Sequence, residues 1–137
     1  MTPKKIKTQA VEKSDYKIFF KKAKDFYDVM LTARDAEKWT AVGLNAVHCA
    51  ISCCDAIVTF HLGIRSISED HLEAVELLQR MPQVKISGEA VTFKRIVAKK
   101  NLIAYENREF RCAEALEILK LTERFYNWIM SNLPSQT

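Results

Sequence analysis

Residues 40–62 form the longest apolar stretch of the chain, and the stretch closes on Gly63. Drawn as a helix, it is apolar on nearly every side, so it cannot lie on a protein surface with one face in water. Other elements must cover it, or part of it is left for a second copy of the chain. Gly63 suits the left-handed conformation that closes helices. The polar side chains of Asn45, His48, Ser52, Asp55 and His61 interrupt the run, which makes it too polar to be expected as a membrane span.

The remaining sequence carries the same period. Glycine and proline are scarce, three of each, and no segment alternates apolar and polar residues over the length of a half-buried strand. Tyr16, Phe19, Phe20, Ala23, Phe26, Tyr27 and Met30 recur at helical spacing, giving a first helix from Ser14 or Asp15 to about residue 37. Residues 66–70 supply caps for a third helix, which buries Leu72, Val75, Leu77, Leu78 and Met81 and stops at Pro82. A fourth is expected over 89–105 and a fifth over 112–133, with Ala115, Leu116, Leu119, Phe125, Tyr126 and Ile129 as its stripe. Short connections favour antiparallel neighbours, so the expected fold is an all-α, up-and-down helical bundle of about five helices. Residues 1–12, with Pro3 and the lysines, read as a flexible basic arm ahead of a single domain over 13–134.

With 137 residues, 48% of them hydrophobic, the chain can build a core without metals or disulfides. Cys49, Cys53, Cys54 and Cys112 follow no signal segment and read as small core residues in a reducing cytoplasm. Cys49 and Cys53 share a helical face, but no second thiol or histidine pair completes a metal site. No cofactor signature is present: phosphate loop, nucleophile elbow, Cys-x-x-Cys and His-Glu-x-x-His are all missing. The net charge of +4 is unevenly laid out, with the basic surplus in residues 1–40 and 91–137. Lys94, Arg95, Lys99 and Lys100 fall in a run free of Asp and Glu, which suits an acidic partner or simply a solvated face.

Asn45, His48, Ser52, Asp55 and Thr59 are spaced by three, four, three and four residues, which aligns them on one face of the apolar helix. Buried, each group needs a partner, and an unpaired Asp55 would be costly. Lys100, Asn101 and Tyr105 on the fourth helix are natural partners, with Asp55 pairing to Lys100 and Tyr105 alongside. The line would equally suit a homodimer seam or water. His48 and Asp55 lie seven residues apart, too far for a direct dyad on a straight helix. His61 and His71 read as surface or capping residues.

The run Lys99-Lys100-Asn101-Leu102-Ile103-Ala104-Tyr105-Glu106 resembles the late-helix motif of HEPN domains, Arg-Asn-x-x-x-His, with Lys100 at the Arg position, Asn101 at the Asn and Tyr105 at the His. The stretch from Asn45 to Asp55-Ala56, then Leu62-Gly63-Ile64-Arg65-Ser66 and Asp70-His71, extends the resemblance to a stand-alone HEPN family without the cleavage pair. The resemblance implies a helical bundle that pairs as a homodimer and binds RNA without cutting it. The residue chemistry agrees. An imidazole titrates at about 6.5 and a phenol at about 10, so Tyr105 is a poor proton carrier near neutrality. Lys100 attracts a phosphate but cannot grip it bidentately as Arg does.

The expected function is therefore a non-catalytic HEPN-like protein that binds RNA or a nucleotide-bearing partner. The binding residues would be Asn45, His48, Ser52, Asp55, Lys100, Asn101 and Tyr105 in a polar cleft, with Arg65, Lys94, Arg95 and Lys99 on a basic face. No catalytic residue is assigned. Two alternatives stand beside this: a divergent metal-independent ribonuclease using His48 and Lys100, and a subunit partnering a minimal nucleotidyltransferase, in the manner of toxin–antitoxin pairs.

Overall fold

The computed structural model describes residues 6–68, 70–81, 84, 86 and 88–134. The apolar stretch forms helix α2 (Trp39–Leu62), whose sequence supplies a column of small residues, Gly43, Ala46, Cys49, Ala50, Cys53 and Ala56, all buried. Small side chains let neighbouring helices approach closely. The first of these is α1 (Tyr16–Asp35), which forms the most extensive helix pair of the molecule with α2. Its last carbonyls are closed by a tight turn: Glu37 adopts φ 57°, and the Lys38 N–H reaches back to the Ala33 carbonyl at 2.9 Å. Only three residues join the two helices, so they run antiparallel.

At its far end α2 closes as expected. Gly63 is left-handed, with φ 67°, and its N–H bonds the Thr59 carbonyl at 2.9 Å. Strand β2 (Ile64–Ser66) follows and pairs antiparallel with β1 (Thr8–Ala10), placing Gln9 opposite Arg65. Within the expected flexible arm, residues 8–10 are thus held as a strand. The chain leaving α2 is extended and offers a free edge; residues 8–10 satisfy it, and Ile6 enters the core. Residues 1–5 lie outside the described residues, as does the stop expected at Pro82.

Asp70 caps the next segment, its carboxylate accepting the Leu72 N–H at 3.0 Å. A 3-10 turn over His71–Glu73 leads into the short α3 (Ala74–Gln79). The fourth helix expected over 89–105 is divided into α4 (Glu89–Val97) and α5 (Lys100–Tyr105). Between them the Lys99 N–H tightens to the Ile96 carbonyl at 3.2 Å, and helical bonding resumes with Ile103 N–H to Lys99 at 3.0 Å. No Gly or Pro marks the break. The last helix, α6 (Cys112–Ser131), lies against both α2 and α4. The protein is an all-α helical bundle with one two-stranded ribbon at its edge.

Most of helix α2 is covered by its own chain, with α1, α3, α4, α5 and α6 all packed on it. Among the described residues it is the one helix long and apolar enough to cross a membrane, and 67% of its most apolar window is buried inside the bundle.

Candidate nucleic-acid interface

Helix α5 presents two unlike faces. On one, Ile103 is buried against α2, where Gly43 has no side chain to obstruct it: a Cβ there would stand 2.8 Å from Ile103 Cδ1 and from the Phe110 ring. On the other, Asn101 and Tyr105, one turn apart, both face solvent. Tyr105 is 78% exposed, the highest value among the large apolar side chains described. Lys99 is exposed and Lys100 partly so, and Lys94 on α4 is exposed as well. Among the described residues no ion pair engages these three lysines. Arg95 differs: its guanidinium donates to the Glu117 carboxylate on α6 at 3.0 Å, which cancels its charge locally.

The polar line of α2 does not act as a unit. Asn45 turns back on its own helix and donates to the Ala41 carbonyl at 2.8 Å. His48 is exposed, with its ring stacked on Phe26 at 5.3 Å. Ser52 and Thr59 are buried. Asp55 accepts a hydrogen bond from Arg65 Nη2 at 3.2 Å, with side chains 15% and 33% exposed, and the Arg65 guanidinium lies over the Phe19 ring at 4.8 Å. This corrects the expected Asp55–Lys100 pair. Asp55 has its counter-charge on β2, because closure of α2 at Gly63 brings Arg65 back beside the helix. Arg65 accordingly leaves the basic face, and Tyr105 points to solvent rather than into a shared cleft.

Arg65 and Asp55 instead line a cavity of about 150 Å³ with Ser66, Ser68 and His71. Burial raises the Asp55 carboxyl to about 6, against the lowering influence of Arg65. His71 is shifted the other way: desolvation lowers it, and the charge of Lys100 and the neighbouring His48 lower it further. His48 is lowered by desolvation and then by Lys100. Two imidazoles and one ammonium therefore share a field, across α2, the 3-10 turn and α5. His71, Ser66 and Ser68 carry no sequence signal that would place them opposite Asp55. The cap at Asp70 fixes the turn, but only the return of the chain over α2 decides what His71 faces.

His61 is structural: its Nε2 lies 3.0 Å from the Asn132 carbonyl, tying the ends of α2 and α6 together. Cys49, Cys53 and Cys54 are buried as expected, and burial pushes the Cys53 and Cys54 thiols well up. Cys112, at the first position of α6, is exposed, contrary to its reading as a core residue. Among the described residues no three His, Cys, Asp or Glu side chains are grouped to hold a metal ion.

No protein-family model, no curated protein and no solved structure matches the chain.

Proposed function

We propose that the protein is a HEPN-like domain that binds single-stranded RNA without cleaving it, through the exposed side of α4 and α5. The observation that carries this reading is Tyr105, 78% exposed on the same face as Asn101, on a helix whose N-terminal end carries Lys99 and Lys100, which no ion pair engages among the described residues. A bare aromatic ring and lysine ammonium groups on one short segment combine base stacking with phosphate attraction, and neither element demands a particular base. Phosphates would meet Lys94, Lys99 and Lys100, and a base would lie on Tyr105. The engagement of Asp55 by Arg65 supports the non-catalytic half of the reading, since Asp55 is not free to act with Lys100 and Tyr105.

Fluorescence anisotropy with a labelled single-stranded RNA pool tests it. Tyr105→Ala should weaken binding by about 1–3 kcal/mol. Lys99→Glu with Lys100→Glu should remove most of the rest. Binding unchanged in both variants would exclude this surface.

One observation favours a second reading, a metal-independent ribonuclease. The charge of Lys100 acts on both His48 and His71, so two proton carriers and a phosphate-attracting cation stand in one region. RNA cleavage in the presence of a chelator, lost in both His48→Ala and His71→Ala, would establish it in place of the first.

A further inference from the structure

We propose that the groove between α1 and the C-terminal half of α6 is a docking surface for an acidic amphipathic segment of a partner protein. The groove measures about 590 Å³ and shares no residue with α4 or α5. Its floor is apolar: Phe20, Tyr126, Met130 and Leu133. One rim is a row of lysines, Lys17, Lys21 and Lys24, and among the described residues no acidic side chain lines it.

The charges and the floor together identify the occupant. Lys17, Lys21 and Lys24 fall at successive turns of α1, so the ammonium groups are strung along about 10 Å of groove. Lys17 engages in no ion pair among the described residues. Among the described residues Lys21 and Lys24 pair with Asp25 and Asp28, in solvent-exposed pairs at 3.0 and 3.8 Å that exchange easily for another carboxylate. A row of cations suits a ligand with several negative groups along its length, not a lipid with one head.

The floor offers a nucleic-acid base nothing to stack on. Tyr126 stacks with Phe20 at 5.8 Å and with Tyr27 at 4.2 Å, and Phe20 and Tyr126 are buried, so their ring faces are already covered and cannot take a base. What remains accessible is Met130, 44% exposed, with the adaptable thioether that irregular apolar partners favour, and the exposed Pro134. Apolar side chains spaced along a peptide, with carboxylates on one edge, satisfy both features.

The experiment is selection of random 12-residue peptides, displayed on phage, against the full-length protein, followed by anisotropy with the synthetic consensus. Enriched peptides should combine Asp or Glu with two or more spaced apolar residues. Their affinity should fall at least tenfold in Lys17→Glu/Lys21→Glu/Lys24→Glu and, separately, in Met130→Asp, while Lys99→Glu/Lys100→Glu leaves it unchanged. Circular dichroism confirms that each variant folds. The proposal is overturned by failure to enrich, by consensus peptides lacking carboxylates, or by binding that ignores both groove variants. Two further results also overturn it: loss of binding to phosphatidylserine vesicles in the triple variant, which assigns the groove to a membrane surface, and a change of solution mass in either groove variant, which assigns it to a second copy of this chain.

Discussion

At Asp55 two influences oppose each other. Burial disfavours its charge and Arg65 favours it, and burial wins, so the carboxyl titrates at about 6 instead of 3.8. The folded protein therefore holds this proton more tightly than the unfolded chain. Between those two values stability falls as pH rises, by up to about 3 kcal/mol from this group alone. His48 and His71, both lowered, contribute stability that is present above about 6.5 and lost as pH falls, the opposite slope. Asp55→Asn keeps an acceptor for Arg65 and removes the titration. The stability difference between variant and wild type, measured by urea unfolding, should shift in the variant's favour from pH 4 to pH 6.5. Removing the guanidinium with Arg65→Met should drive the carboxyl above 6, as read by NMR titration.

Two positions on the α1–α2 hairpin make opposite demands on glycine. Glu37 sits at φ 57° in the turn, a conformation that costs an L residue about 1–2 kcal/mol and costs glycine nothing. Glu37→Gly should stabilise the protein by up to about 1 kcal/mol after the added freedom of the unfolded chain is counted. Gly43 is the reverse case. Helix propensity alone predicts that Gly43→Ala gains about 1 kcal/mol. The packing predicts a loss, because the new methyl would meet the buried Phe110 ring at 2.8 Å, and overpacking costs about 1–3 kcal/mol. Thermal unfolding decides between them. The same substitution pushes on Ile103 and hence on α5, so RNA affinity should drop along with stability.

For the molecule as a whole, charge sets the expected behaviour. If the proposed RNA binding holds, Lys94, Lys99 and Lys100, without ion pairs among the described residues, would neutralise about three phosphates, which gives a slope of about −2 in the logarithm of affinity against the logarithm of salt for single strands. Lys99→Glu with Lys100→Glu should bring that slope below about −1 in magnitude. Binding indifferent to salt would contradict an electrostatic surface. The homodimer expectation changes its ground. It rests on the HEPN resemblance and on the apolar circumference of helix α2, and most of that circumference is taken up by α1, α3, α4, α5 and α6, so the resemblance is the stronger ground. Light scattering at twice 15.8 kDa would support it.

The sequence by itself determined the helices. Periodicity marked α1, α2 and α6 to within a few residues, and Gly63 marked the end of α2 through its own backbone preference. These are local properties, carried by spacing and by one residue's allowed angles. It also displayed Lys99, Lys100 and Tyr105 as a basic and aromatic cluster, because neighbours on one short segment remain neighbours once folded. Tertiary structure alone decided partners across the chain. Asp55 could meet Lys100 or Arg65 by charge, and the extended return of β2 beside α2 settled it. The division of α4 from α5 has no breaker residue to announce it. The pairing of residues 8–10 with β2 was equally invisible, since the composition of that segment is polar and its strand exists only because an unsatisfied edge lies next to it. Local propensity is written residue by residue, whereas the choice among equally charged or equally apolar partners depends on where the backbone brings them.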